Sequence, residues 1–135
     1  MTTARANQAR PTSEELRVWR DYIETAERLR SLLEARLQSE SGLSSADYGV
    51  MLALSEADGR RLRSSQLAER IDWERSRVSH HLRRMERRGL IRREACAKDS
   101  RGAEVVLTDA GLDAFREAAV PHLRAVQQLF LDALT

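Results

Sequence analysis

Residues 63–111 decide the fold; they read RSSQLAERIDWERSRVSHHLRRMERRGLIRREACAKDSRGAEVVLTDAG. Leu67, Ala68 and Ile71 form the inward side of a short helix that Ser64 or Ser65 can cap. Asp72, Trp73 and Glu74 make a tight turn. Beyond it, Val78, Leu82 and Met85 stand at i, i+4 and i+7, the buried edge of a second helix. Gly89 supplies a left-handed C-terminal cap, with Leu90 as the apolar residue behind it. Residues 91–95 and 103–107 read as two strands joined by the loop 96–102, and Thr108 caps a further helix at Leu107-Thr108-Asp109-Ala110-Gly111.

The flanks are helical. Thr12 and Glu15 have the spacing of a capping box, and Leu16, Trp19, Ile23, Ala26, Arg30, Leu33 and Leu37 then recur every three or four residues. Val18, Tyr22, Leu29 and Leu32 widen that apolar face, which implies contact with its own core or with a second subunit. Gly42 ends this helix. Ser44 caps the next, with Asp47 at its third position, Leu43 as a staple, and Tyr48, Met51, Leu52 and Ser55 expected inward. The stretch 57–60 is a turn. After Thr108, Leu112, Phe115, Ala119, Leu123, Val126 and Phe130 share one side of a long helix, in which Pro121 is expected to produce a kink or a split. The fold class expected is mainly α with a small β-wing: a tail over 1–11, an N-terminal helix over 12–41, a winged helix-turn-helix domain over 43–108 and a C-terminal helical region over 109–135.

Charge is unevenly placed. The chain of 135 residues has a formal net charge of +2. Residues 60–101 nevertheless hold 14 Lys and Arg against 6 Asp and Glu, so the middle is basic and the ends are acidic. A basic face of that kind attracts phosphate. No apolar run reaches the ~18 residues of a membrane span, and the N-terminus has no apolar stretch of a secretory signal. With a single cysteine, Cys96, no intrachain disulfide can form, which points to a reducing cytoplasm.

Helix, turn, helix and wing is an arrangement that lays one helix in a major groove while a basic loop reaches the backbone nearby. With Val78, Leu82 and Met85 inward, the second helix turns Arg75, Ser76, Arg77, Ser79 and His80 outward at its N-terminal end. Arg donates bidentately to guanine O6 and N7, and Ser and His can reach a base edge or a phosphate. Arg83, Arg84, Arg87 and Arg88 lie further along, as phosphate contacts or internal ion pairs. Ser65 and Gln66, on the preceding helix, complete the candidate contacts there. At the hairpin tip Lys98 and Arg101 can clamp phosphates or enter a minor groove, with Asp99 holding Arg101 in place. Trp73 is expected to plug the gap between the two helices.

The runs L-A-E-R-I-x-W-x-R-S-R-V-S-H-H-L-x-R-M-E-x-R-G-L-I-x-R, D-S-R-G and V-V-L-T-D-A-G resemble the MarR family of bacterial winged helix-turn-helix regulators. The resemblance covers 43–111 with specific motifs and the flanking helices more loosely. It implies a homodimer, built by helices from both chain ends, on a pseudo-palindromic operator of double-stranded DNA. By motif position, 75–80 match the groove-reading segment and Asp99 and Arg101 the wing. The family implies repression, and in many members release by a small aromatic effector or by cysteine oxidation; the alternative is an activating or constitutive DNA binder of the same fold with no effector. Trp19, Tyr22, Tyr48, Met51, Phe115 and His122 are the candidates for an effector pocket, with an ordinary core as the alternative. Family chains usually continue into a further helix, so the dimerisation region after 109 is expected to be incomplete. Glu74 stands where Ser or Thr is the commoner cap.

An enzyme finds no support in the residues. There is no nucleophile elbow, phosphate loop or paired set of metal ligands, so neither a metal nor a cofactor is expected. His80 and His81 are sequence neighbours and point about 100° apart on a helix, a poor metal site with Cys96 and His122. Single-stranded nucleic acid would call for exposed aromatics among the arginines, and the basic segment holds Trp73 alone. A winged helix used only for protein contacts would not require Arg on the outer helix face and at the wing tip together.

Overall fold

The computed structural model describes residues 10–95 and 102–134. The chain divides into two compact units with the boundary between Leu32 and Leu33. Helix α1 (Ser13–Ser41) opens on the expected reciprocal cap: the Thr12 N–H donates to Glu15 Oε1 at 2.9 Å and the Glu15 N–H to Thr12 Oγ1 at 3.1 Å. In the first unit Leu16, Val18, Trp19, Tyr22 and Leu32 are exposed. The remainder of α1 belongs to the second unit, where Leu37 is buried.

Helix α2 (Ser45–Glu56) starts at Ser44, whose hydroxyl accepts from the Asp47 N–H while Asp47 Oδ2 accepts from the Ser44 N–H, both at 3.0 Å. Its buried stripe is Asp47, Val50, Met51 and Leu54. The expected inward set is therefore correct at Met51 but out of phase at Leu52, which is 39% exposed. A step of one residue turns a side chain about 100° around a helix, enough to take Leu52 off the core face.

A short turn at Asp58–Arg60, with Gly59 at φ 66°, leads into β1 (Arg61–Arg63), a strand beyond the two that the sequence leads one to expect. Helix α3 (Ser64–Ile71) follows at once. Its cap is neither Ser64 nor Ser65: Arg63 is the N-cap residue, and Gln66 Oε1 accepts the Arg63 N–H at 3.0 Å. Ser64 instead donates its hydroxyl to the Ala103 carbonyl at 3.3 Å, tying α3 to the sheet. The helix stops at Asp72, left-handed at φ 57°, and the Trp73 N–H returns to the Ala68 carbonyl at 2.9 Å. Helix α4 (Arg75–Arg87) then runs to Gly89, which has φ 76° as expected of a C-terminal cap.

Strands β2 (Ile91–Ala95) and β3 (Ala103–Leu107) pair antiparallel from Ile91 opposite Leu107 to Ala95 opposite Ala103. Strand β1 lies along the other edge of β3, so the wing is a three-stranded sheet in the order β1-β3-β2. Val78, Leu82 and Met85 pack with Val50, Met51, Leu54, Leu67, Ile91, Val105 and Leu107 in one core.

Helix α5 (Asp109–Leu129) explains why Leu-Thr-Asp-Ala-Gly closes the unit. Thr108 Oγ1 accepts the Gly111 N–H at 2.9 Å and donates back to the Gly89 carbonyl at 2.7 Å, with the Leu90 carbonyl at 3.0 Å. Gly111 rests directly on Leu90, so a Cβ there would collide with the Leu90 carbonyl oxygen and approach Leu107 Cδ1 to 2.7 Å. Pro121 does not split α5, which continues through it to Leu129. Proline removes the bond to the residue four before it, Glu117, and that residue is exposed where water can take the carbonyl. Among the described residues no helix is long and apolar enough to cross a membrane.

Gly111→Ala is expected to cost about 1–3 kcal/mol, because the added methyl must displace backbone rather than a side-chain tip. Urea unfolding should show a lower midpoint for Gly111→Ala, while Gly49→Ala, with nothing within 4 Å of its Cβ, should not fall below the native midpoint.

Candidate nucleic-acid interface

With Val78, Leu82 and Met85 buried, α4 presents Arg75, Ser76, Arg77, His80, Arg83 and Arg84 exposed and Ser79 half-buried. Glu74, its N-cap residue, is extended and makes no side-chain capping bond. The helix nevertheless begins at Arg75, so the Glu74 side chain leaves its first N–H groups uncapped. Such an end favours an anion through both its N–H groups and its dipole.

The arginines separate into two sets. Arg60 pairs with Asp109 at 3.2 Å, Arg61 with Glu94 and Glu104 at 3.1 and 3.0 Å, Arg92 with Glu94 at 2.9 Å, and Arg88 with Asp47 at 2.8 Å. These serve the fold, and Arg88 resolves the question left open for the end of α4 in favour of an internal ion pair. Arg75, Arg83, Arg84 and Arg87 form no ion pair with a described residue, and the Arg77 guanidinium carbon sits over the Trp73 ring, 3.9 Å from its centroid. Trp73 itself packs on the core, as expected.

Arg63, Ser64, Ser65, Arg75, Ser79, Arg93, Gly102 and Ala103 line one cleft of about 520 Å³ where α3, α4 and the sheet meet. Three of the sequence candidates, Ser65, Arg75 and Ser79, come together there. Arg63 and Arg93 join them beyond the sequence expectation; the signal available was Arg within short strands beside the basic helix, Arg61 and Arg63 in β1 and Arg92 and Arg93 in β2. Arg93 Nη2 donates to the Ser79 carbonyl at 2.9 Å, which fastens β2 to α4. Gln66 is exposed and holds the start of α3 through its side-chain oxygen. Lys98, Asp99 and Arg101, and Cys96 with them, lie outside the described residues.

Beneath α4 sits Asp47, 3% exposed. Its Oδ2 accepts from Arg88 Nη1, and its Oδ1 lies 2.9 Å from His81 Nε2, an ion-pair distance at which neither atom has another hydrogen-bond partner. Arg88 also donates to the Gly42 carbonyl at 3.2 Å. Burial pushes the Asp47 pKa up, but His81, Arg88 and the Ser44 N–H together outweigh it and hold the carboxyl well below the usual range.

The aromatic candidates fall into separate groups. Tyr48 contacts Phe115 at 5.1 Å and His122 at 4.4 Å between ring centroids, and Met51 is fully buried. Burial raises the Tyr48 pKa and lowers that of His122, so both are mainly neutral at pH 7. Trp19 and Tyr22 face each other at 6.5 Å within the first unit.

Two helices set by a left-handed turn, the second offering an arginine face beside a β-wing, define a winged helix-turn-helix protein of the DNA-binding class. The MarR family model matches residues 41–102. Solved relatives extend the match over nearly the whole chain. AbsC, a MarR family transcriptional regulator from Streptomyces coelicolor, is 40% identical with a TM-score of 0.89, covering 93% of this chain and 84% of its own. Sco3205, from the same organism and solved in complex with DNA, is 42% identical with a TM-score of 0.90, covering 93% and 79%. The PcaV regulator of that organism, solved with its natural ligand, is 28% identical at a TM-score of 0.70, covering 79% and 76%. No curated protein matches. The chain belongs to the MarR family of transcriptional regulators.

A carboxyl whose pKa is lower folded than unfolded contributes stability in full above its unfolded value, about 3.9, and loses it as pH falls below that value. Asp47→Asn is therefore expected to cost about 1–3 kcal/mol at pH 7. In denaturant titrations repeated at successive pH values, its deficit against the native chain should narrow as pH falls below about 4. A deficit that stayed constant down to pH 2 would show that the charge on Asp47 contributes nothing.

Proposed function

We propose that this chain is a repressor that binds a pseudo-palindromic operator as a homodimer in the cytoplasm and is released by a small aromatic effector. The observation that carries DNA binding is the outer face of α4, where Arg75, Arg77, Arg83 and Arg84 stand exposed while the neighbouring arginines are tied into the fold. The relative solved with DNA supports the same reading. On our reading, Arg77 and the Ser76, Ser79 and His80 side chains read base edges. Ser65, Gln66, Arg75, Arg83 and Arg84 contact the backbone, and Lys98 and Arg101, steadied by Asp99, reach it from the wing.

Dimerisation is supported by large apolar side chains left exposed toward both chain ends: Leu16, Val18, Trp19, Tyr22 and Leu32, and separately Val120, Leu123, Phe130, Leu131 and Leu134. Side chains of this size and number on the surface of one chain mark an interaction surface. Two reading helices on a two-fold axis meet successive major grooves about one helical turn apart. The proposed effector site is Tyr48, Phe115 and His122, with Met51 from the same helix as Tyr48, supported by the ring contacts of Tyr48 and by the relative solved with a ligand. A ligand there releases DNA only through its preference for a DNA-incompetent arrangement, and a tenfold loss of operator affinity needs ~1.4 kcal/mol of coupling.

The test is selection of bound sites from random duplexes, followed by binding to the enriched site. Arg77→Ala should lose about 1–3 kcal/mol on that site and relax its base preference. Arg101→Ala should weaken every duplex and lower the salt slope by about 0.9 per phosphate contact removed. Failure to enrich any site would favour a winged helix that contacts proteins, and equal loss on specific and random DNA would reduce Arg77 to a phosphate contact. Sedimentation at micromolar concentration should give a dimer; a monomer would overturn the two-fold arrangement.

A further inference from the structure

The guanidinium of Arg77 does not project freely from α4. Its central carbon sits 3.9 Å from the centroid of the Trp73 ring. The spacing makes this possible: Trp73 precedes Arg77 by four residues, and helical side chains lean toward the N-terminus, so Arg77 lies back across the indole. The indole is itself fixed. It is half-buried against the core, its backbone N–H is bonded to the Ala68 carbonyl, and its edge meets the His81 ring at 5.7 Å and 75°. His81 is in turn held 2.9 Å from buried Asp47, to which Arg88 is anchored. A continuous set of contacts thus runs from a buried carboxylate to an exposed guanidinium at the N-terminal end of α4.

Stacking and base reading use different parts of a guanidinium: a ring meets its π face, while the N–H fork that donates to guanine O6 and N7 lies in the guanidinium plane and stays free. An unstacked arginine must give up several rotamers when it binds, and a stacked one has already done so. We propose that Trp73 is a positioning residue for base readout: it presents the Arg77 fork in a fixed plane, with His81 and Asp47 setting the orientation of the indole. The inference rests on the groove-reading role of Arg77 given under Proposed function.

The experiment compares the full chain with its variants on the selected duplex and on a random duplex of equal length at the same salt. Trp73→Leu should bind the selected duplex about tenfold more weakly and random duplex equally well. The loss should concentrate at the base pair whose preference Arg77→Ala relaxes. In an Arg77→Ala background, Trp73→Leu should add no further loss. Equal losses on both duplexes, or a full additional loss in the Arg77→Ala background, would overturn the positioning role and leave Trp73 as core packing. If Arg77→Ala leaves the selected duplex bound as before, the groove-reading role of Arg77 fails first, and this inference with it. Should Trp73→Leu not fold, Trp73→Phe keeps an aromatic face with weaker cation attraction. It should then show a loss of about threefold, again on the selected duplex alone and absent without Arg77.

Discussion

Asp47 is a carboxylate placed where carboxylates are costly, buried under α4, and the placement of that helix depends on how its charge is satisfied. It binds the Ser44 N–H at the start of α2, Arg88 at the end of α4, and His81 in the middle of α4. One side chain thereby fixes the position of α4 along and across α2. Well-packed apolar residues can match or exceed the stability of such a buried pair, so the pair is weak evidence of net stabilisation. Arg88 is 45% exposed at its side chain, so its share of the attraction is screened by water and worth correspondingly less. The contribution of the cluster is orientation more than strength.

Around this anchor the excess of arginine divides by partner. Arg60, Arg61 and Arg92 meet carboxylates on the sheet and at the start of α5. Exposed pairs of this kind contribute little to stability, about 0–1 kcal/mol each, but they neutralise charge where no phosphate is to be met. Arg75, Arg83, Arg84 and Arg87 on the exposed face of α4 form no such pair with a described residue. A chain whose net charge is only +2 therefore carries a strongly basic working face. Arg93 joins the wing to the reading helix through the Ser79 carbonyl, so displacement of either would be felt by the other.

Thr108 and Gly111 perform the corresponding task at the back of the domain. The hydroxyl of Thr108 takes both the free N–H of the new helix and the carbonyl left by the end of α4, and the missing side chain of Gly111 lets α5 sit against Leu90. The far part of α5 leaves Val120 and Leu123 exposed, which is where a single chain has no core of its own to offer them and where the proposed dimer would bury them.

The elements that local signals specify were legible in the sequence: the Thr12–Glu15 and Ser44–Asp47 caps, the Val78, Leu82, Met85 stripe, the left-handed Gly89 and the strands on either side of the wing loop. Each depends on residues three or four apart, or on a backbone angle that one residue type favours. The tertiary structure decided the rest. Strand β1 has three residues and takes its hydrogen bonds from β3, more than forty positions later, so no local pattern could reveal it. Leu52 is exposed and Leu54 buried because α2 is turned to place Asp47 against Arg88, a contact spanning 41 positions. The basic character of the middle of the chain was written in its composition; which of its arginines meet a carboxylate was set only when folding brought the acids beside them.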